Sequence, residues 1–264
     1  MHSNLFEQFP KKCLKMKYSR EQRSEMRKRD ISTTQAHNTS LDSTQTSSTD
    51  DENTGPVFFW REYEQPYGFL CQWYPSPFVA PQIHSTHVFG CAEQFMMYRK
   101  ALVLATPPES DDIDSANTTG SKVQPKELQK GARTANTAQG ERANLPNRIL
   151  SQSKPGRQKS LARSVKFSPA QFKEWERIKF DVVLEGSYLK FTQNQELKAK
   201  LLATGDRELV EASPTDRTWG IGFAAEFAES WREDWGSNLL GKALVSVRES
   251  LRGEAEAEVE ADIG

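Results

Sequence analysis

Most of the aromatic side chains fall in two stretches of the chain, residues 55–104 and 147–252. These stretches hold all six tryptophans, twelve of the fourteen phenylalanines and five of the six tyrosines. Residues 1–54 and 105–146 are instead dominated by small polar and charged residues, which bury too little apolar surface to offset the entropy of ordering. The pattern predicts one domain over residues 55–252, with a disordered arm (1–54), a disordered insertion (105–146) and a solvated acidic tail (253–264).

Within the apolar stretches, the spacing of hydrophobic residues predicts mainly helices. The predicted helices cover residues 92–104, 168–184, 188–203 and 239–251, with short strands at 57–60 and 208–211. The second helix has a strong start signal, because Ser168, Pro169 and Gln171 match a capping box with proline in the first turn. Core-facing positions in the last helix follow the helical period: Leu240, Ala243, Leu244, Val247 and Leu251. The predicted fold class is mainly α, a single compact helical domain with a few short β-strands.

The net charge of the chain bears on whether the protein binds nucleic acid. The chain carries 35 Lys and Arg against 36 Asp and Glu, a net charge of −1, which argues against binding nucleic acid mainly through bulk electrostatics. Nine basic residues nevertheless fall within residues 11–29. They form either a solvated arm or a segment for nucleic-acid contact or nuclear localisation. We therefore expect a cytoplasmic protein, with the nucleus left open as an alternative.

Several familiar kinds of site are missing from the sequence. The three cysteines include no Cys-x-x-Cys pair, which excludes a disulfide scaffold and a Cys-rich zinc site. No run of about 18 apolar residues or secretory signal is present, so no membrane association is expected. Nucleotide-loop, serine-hydrolase and zinc-protease motifs are absent, and His84 and His87 have no third ligand nearby in sequence. We expect neither a cofactor nor a metal.

Three charged residues are candidates for chemistry. Glu93 begins a helix beside Met96 and Met97, where apolar neighbours would favour general acid–base work, although acids are also common in first turns. Lys190 has Asn194 and two leucines at helical spacing, so it is either an amine nucleophile or a lysine that extends to water. Asp216 lies in a loop punctuated by proline and glycine, which either lines a site or simply forms a turn.

Read together, these segments resemble one protein family, the NADAR family, which is linked to NAD and ADP-ribose metabolism. The resemblance covers about 155 residues of the aromatic-rich stretches. Two departures from the family pattern are Ala162, where the family usually has glycine, and Cys71, where it usually has serine. The similar blocks are FFW (58–60), YGFLCQWYPSPF (67–78), CAEQFMMYRKALVL (91–104), KSLARSV (159–165), the run 172–223 and WGSNLLGKALVSVR (235–248).

The resemblance implies an N-glycosidase that hydrolyses a bond between ribose C1′ and nitrogen, without a cofactor. The implied substrate is either ADP-ribose on guanine bases of nucleic acid or a ribosylaminopyrimidine phosphate of riboflavin synthesis. Glu93 and Asp216 would be the catalytic carboxylates, and Lys190 the amine that attacks C1′. The alternative is a non-catalytic module that binds ADP-ribose or a nucleotide, and the oligomeric state stays open. The residues expected to bind substrate are Trp175, Trp219, Gly220, Asn238, Gly241, Arg163 and Lys179.

Overall fold

A computed structural model of the protein describes residues 55–107 and 139–263. The predicted disordered arm and most of the predicted insertion lie outside these residues. The described chain is mainly helical, which confirms the predicted fold class. Its elements in chain order are β1 (Val57–Phe59), β2 (Phe78–Val79), β3 (Val88–Phe89), α1 (Ala92–Ala105), α2 (Leu145–Leu150), α3 (Pro155–Ser164), α4 (Pro169–Gln193), α5 (Gln195–Leu202), β4 (Leu209–Glu211), α6 (Ala225–Ala228) and α7 (Leu239–Ile263), with 3-10 helices at Gly68–Leu70 and Glu229–Asp234.

The described residues fall into two compact units. The first unit comprises residues 55–74 and 187–263, and the second comprises residues 75–107 and 139–186. The division between them falls inside the sequence of α4. In neither unit is any described helix both long enough and apolar enough to cross a lipid bilayer.

Helix α1 forms the centre of the second unit. Every residue from Ala92 to Arg99 is buried, because α2 and α3 pack against this helix and the β2–β3 hairpin lies beside it. Phe95 contacts the rings of Phe78 and Phe89, with centroids 5.9 Å and 5.2 Å away. Arg99 and Glu185 form a buried ion pair in the same unit. Burial raises the pKa of Glu185 to about 7, against the opposing effect of Arg99.

Buried glutamine side chains hold the ends of the helices in the second unit. The amide nitrogen of Gln94 donates to the carbonyls of Leu150 and Gln152, at 3.1 Å each, and more weakly to that of Ile149, at 3.4 Å. Its amide oxygen accepts from the N–H of Gly90 at 2.9 Å. Gln94 therefore closes both the turn before α1 and the end of α2, where carbonyls have no partner within the helix.

Gln171 plays the same part at the other end of α1. Its amide nitrogen donates to the carbonyls of Leu104 (3.2 Å) and Thr106 (2.7 Å). Its amide oxygen accepts from the N–H of Ser168 at 3.0 Å, and the Ser168 hydroxyl accepts from the N–H of Gln171 at 3.2 Å. This reciprocal pair confirms the capping box that the sequence predicts at the start of α4.

Helix α4 is one uninterrupted helix, so the predicted break after residue 184 is wrong. Gly186 lies within this helix, and its lack of a side chain leaves room for Phe95, because a Cβ there would lie 2.8 Å from the ring. The break comes instead at Asn194, whose backbone is extended. Along α4 the buried apolar residues are Trp175, Ile178, Val182 and Val183, whereas Phe172 is 54% exposed.

The first unit contains a two-stranded parallel sheet covered by α7. Strand β1 pairs with β4, with Val57 opposite Leu209 and Phe59 opposite Glu211. Both strands were predicted, although their pairing was not. Helix α7 packs against β4 and α5. The five positions predicted as its core face are all buried, which confirms the helical period: Leu240, Ala243, Leu244, Val247 and Leu251.

Two predicted polar segments are partly helical. Residues 139–146, the end of the predicted insertion, are helical apart from the turn residue Asn144. Leu145 is fully buried there, so the prediction of disorder is wrong for these residues. Helix α7 also continues to Ile263, through most of the predicted acidic tail, where Glu254 accepts a hydrogen bond of 2.8 Å from the Tyr188 hydroxyl. Alternating alanine and glutamate are good helix formers, which explains the extension.

Candidate active site

Glu93 lies in the first turn of α1 and is only 4% exposed. Met96 and Met97, on the following turn, are buried as well. The N-terminus of a helix favours a negative charge, and the surrounding core excludes water from this carboxylate. The fold therefore holds a buried carboxyl group at the N-terminus of α1, a setting suited to general acid–base chemistry.

Lys100 lies seven residues after Glu93, two turns along α1. Its ammonium group is 5.1 Å from the ring centroid of Phe167 and 5.9 Å from that of Trp175. Burial lowers the pKa of Lys100, and the positive charge of Arg163 lowers it further. Sequence reasoning missed Lys100, although the i, i+7 spacing from Glu93 could have identified it.

Trp175 packs beside Lys100 and is 6% exposed. Its ring lies nearly parallel to that of Phe167, at an interplanar angle of 20° and a centroid distance of 6.5 Å. Arg163, at the end of α3, is exposed. Lys179 forms an ion pair of 2.7 Å with Glu176, one turn earlier on α4. Charged and aromatic side chains of the second unit are thus grouped around α1. Lys100 and Phe167 were not among the predicted site residues. The full group is Glu93, Lys100, Arg163, Phe167 and Trp175.

Lys190 lies in the first unit and is 1% exposed. Its ammonium group donates to the carbonyls of Phe69 at 2.6 Å and Cys71 at 3.0 Å. The predicted helix face shared with Leu197 is wrong, because α4 ends before that leucine and α5 begins anew at Gln195. Lys190 links α4 to the 3-10 helix Gly68–Leu70 and its flanking residue.

Asp216 organises the loop that follows β4. Its Oδ1 atom accepts from the N–H groups of Thr218 at 3.0 Å and Trp219 at 2.8 Å, the pattern of an Asx turn. Gly220 is required at its position, because a Cβ there would lie 2.5 Å from the carbonyl oxygen of Glu211. Asp216 and Trp219 are both half-buried, and the turn fixes their relative positions.

Asn238 and Gly241 connect α7 to strand β4. The Asn238 amide donates to the carbonyl of Leu209 at 2.9 Å and accepts from the N–H of Glu211 at 3.1 Å. A Cβ on Gly241 would lie 2.0 Å from the same Leu209 oxygen. The backbone of α7 at Gly241 therefore lies directly against strand β4.

The other reactive side chains are held in structural roles. Burial raises the pKa of the Cys71 thiol to about 12, so it stays protonated. The Nδ1 atom of His84 accepts from the backbone N–H of His87 at 3.1 Å, within a turn. Within residues 55–107 and 139–263, no three His, Cys, Asp or Glu side chains are grouped closely enough to hold a metal ion.

Comparison with known proteins identifies the family. The NADAR domain model matches residues 58–144 and 129–252. The N-glycosidase R617 of Acanthamoeba polyphaga mimivirus is 47% identical over 105 residues, which is 39% of this chain and 60% of that protein. Protein irg-1 of Caenorhabditis elegans is 33% identical over 165 residues, 62% of this chain and 61% of that protein. The aligned part of this chain thus spans about three fifths of the length of each relative.

A solved structure gives a weaker match. The NMR structure of the E. coli protein YbiA has a TM-score of 0.48 and 20% sequence identity, covering 78% of this chain and 89% of that one. The family assignment rests instead on the domain model, whose two matched segments together span residues 58–252. The chain belongs to the NADAR domain family.

Proposed function

We propose that the protein is an N-glycosidase that hydrolyses the bond between a ribose C1′ and nitrogen. The observation that carries this proposal is the buried carboxylate of Glu93, on the helix that also holds Lys100 against Trp175. The name of the mimivirus relative, an N-glycosidase, supports the same reaction. A buried acid, an amine and an indole ring are the groups that such a cleavage would use.

Cleavage of the C1′–N bond would use carboxyl groups in two ways. Breaking the C1′–N bond develops positive charge on the sugar, which a nearby carboxylate stabilises. The leaving nitrogen must also gain a proton, and a carboxylic acid can supply it. Glu93 and Asp216 are the proposed catalytic carboxylates. Water completes the reaction, so the proposal requires neither a metal nor a cofactor.

The proposed substrate is a ribosylated compound that carries phosphate. Trp175 and Trp219 would stack on a base or a sugar face, an interaction worth about 1–3 kcal/mol per base. Arg163 is exposed and so suited to a phosphate group, whereas the charge of Lys179 is shared with Glu176. Gly220, Asn238 and Gly241 would act by shaping the backbone around β4 and the Asp216 turn, a role that their hydrogen bonds and close contacts favour.

Two substrate classes are proposed as alternatives, ADP-ribose on guanine bases and ribosylaminopyrimidine phosphates. The basic residues 11–29 would add affinity for nucleic acid in the first case, and they leave the choice between cytoplasm and nucleus open.

The test is chromatography of the protein after separate incubation with guanine-ADP-ribosylated DNA and with a ribosylaminouracil phosphate. Release of ADP-ribose or of ribose phosphate identifies the substrate class. Glu93→Gln should reduce release at least about 100-fold, the usual contribution of acid–base catalysis. Glu226→Gln, at an exposed position, is the matched control. If the folded wild-type protein binds either compound without releasing product, the protein is a binding module and the proposal fails.

A further inference from the structure

The second unit carries a strongly basic segment, although the net charge of the whole chain is only −1. From Arg142 to Lys173 the sequence has eight basic residues and no acidic residue. Like charges gathered on a folded surface repel one another, so such a segment indicates an anionic partner. The exposed basic residues of this segment are Arg148, Lys154, Arg157, Arg163, Lys166 and Lys173.

The acidic residues that follow on α4 do not neutralise this segment. Glu174 pairs with Arg177 at 2.6 Å, and Glu176 pairs with Lys179 at 2.7 Å, each within the same helix. Within residues 55–107 and 139–263, none of the six exposed basic residues takes part in an ion pair. Their positive charges therefore remain available to a partner.

Helix α3 places basic residues on both sides of a face of small residues. Its solvent-facing side repeats at a spacing of four residues, and its opposite side is buried. Arg157 lies on one flank of the small face, and Lys159 and Arg163, one turn apart, lie on the other. A sugar–phosphate chain can approach the helix closely here, and serine hydroxyls bond phosphate oxygens. The small exposed residues are Gly156, Ser160 and Ser164, and the buried residues are Gln158 and Ala162.

An exposed aromatic ring lies at the end of the basic segment. Phe172, in the first turn of α4, is 54% exposed and contacts Phe167 edge to face, with the ring centroids 6.1 Å apart. Phe167 in turn lies 5.1 Å from the nitrogen of Lys100, whose pKa is lowered by burial and by the charge of Arg163. The aromatic pair and the end of α3 therefore belong to one area of the second unit.

We propose that this area, the α3 surface, binds the backbone of single-stranded nucleic acid. The α3 surface comprises the six exposed basic residues, the small face of α3 and Phe172. Cations select a polyanion, and an exposed ring favours one whose bases are unpaired, because unpaired bases stack on aromatic side chains whatever their sequence. Helix α3 is ten residues long, or about 15 Å, so several phosphates can lie along it. The inference concerns binding alone and does not depend on the N-glycosidase reaction.

The experiment measures binding of an unmodified, fluorescently labelled single-stranded DNA to the full chain by anisotropy. The variant Lys154→Gln/Arg157→Gln removes two exposed charges that have no part in the proposed active site. Each phosphate contact contributes about 0.7 to the slope of log K against log salt, so two lost contacts should lower the slope by about 1.4 and weaken binding about 25-fold at about 0.1 M salt. The control Lys198→Gln/Lys200→Gln removes the same charge from α5 of the first unit, and should weaken binding less than about threefold.

A second variant tests the ring separately from the charges. Phe172→Ala should weaken binding at least about fivefold, the loss of one stacked base, and should leave the salt slope unchanged because the ring carries no charge. The matched control is Phe227→Ala, which removes a ring that is 55% exposed in the first unit. Thermal melting of each variant should stay within a few degrees of the wild type, which shows that the fold is retained.

Three outcomes would overturn the proposal. The first is a Lys154→Gln/Arg157→Gln variant that binds DNA as tightly as its control, which would assign any binding to other parts of the chain. The second is equal affinity for the duplex of the same sequence together with an unaffected Phe172→Ala variant. The third is loss of binding to phosphatidylserine vesicles or to polyglutamate in the α3 variant while DNA binding is unchanged. None of these measurements involves product release, so this inference and the N-glycosidase proposal can fail independently.

Discussion

Among the polar residues of the second unit, Gln94 should lower the stability of the fold most when it is replaced. Its side chain alone makes hydrogen bonds both to the turn before α1 and to the end of α2. Gln94→Met keeps the length of the side chain but removes the donors to Leu150 and Gln152, at 3.1 Å each, and the acceptor for Gly90 at 2.9 Å. Each lost hydrogen bond contributes about 1 kcal/mol net. We expect the free energy of unfolding to fall by about 3 kcal/mol, measured by urea denaturation with an unchanged m-value.

A second substitution at the same position separates hydrogen bonding from packing. Gln94→Glu has the same shape, but at neutral pH its carboxylate faces carbonyl oxygens and donates nothing. Such a carboxyl has a folded-state pKa above its unfolded value of about 4.3. The variant should therefore be less stable than Gln94→Met at pH 8, and should recover as the pH falls and the acid regains a donor.

The reasoning would be refuted if Gln94→Met lost less than about 0.5 kcal/mol, the range of an ordinary surface substitution. It would also be refuted if Gln94→Glu matched Gln94→Met at every pH. Both variants are compared with the wild-type protein at the same pH, so other titrating groups cancel.

Three further predictions follow from contacts described above. Gly241→Ala should lower the free energy of unfolding by more than about 2 kcal/mol in urea denaturation, since its Cβ would lie 2.0 Å from the Leu209 oxygen. The control Gly253→Ala has open space around it and should raise the free energy of unfolding by about 0.5–1 kcal/mol. Equal effects of the two substitutions would contradict this prediction. The pKa of Glu185 is raised from 4.5 to about 7, so between these pH values the folded protein keeps a proton that the unfolded chain releases. The contribution of Glu185 to the free energy of unfolding therefore falls as the pH rises from about 4.5 to about 7. Glu185→Gln should flatten the measured profile of unfolding free energy against pH over that range. Replacing residues 108–138 with about 12 Gly/Ser residues, which span about 20 Å, should leave turnover within about twofold; loss of turnover in a folded variant would show that this segment takes part in function.

The sequence was sufficient to predict helices that are specified by local signals, namely the spacing of apolar residues and the capping residues at their ends. The core face of α7 repeats at helical spacing, and every one of its expected positions is buried. The capping box at Ser168 and Gln171 is local as well, so both hydrogen bonds were predictable. The charged candidates Glu93 and Asp216 were identified in the same way, from their places in a first turn and in a restrained loop.

The features that sequence could not supply depend on partners distant along the chain. The predicted break after residue 184 is absent, and Gly186, within α4, packs against Phe95, which lies 91 positions earlier in the sequence. Lys190 looked like a reactive amine because its acceptors, the carbonyls of Phe69 and Cys71, are invisible in a helical pattern. The setting of Lys100 depends equally on Trp175. In each case tertiary contacts override a local signal.

The polar contacts of Asn238 also protect the protein against misassembly. Successive residues of a strand direct their backbone groups to alternate sides, and on one side of β4 the groups of Glu208 and Ala212 bond to β1. On the other side, the Leu209 carbonyl and the Glu211 N–H are taken by the Asn238 amide, and the Glu211 carbonyl by Ile221. An open strand edge invites another chain to pair with it. One asparagine side chain here takes the place of part of a third strand, so three backbone groups at this edge of β4 are already paired and cannot template another chain.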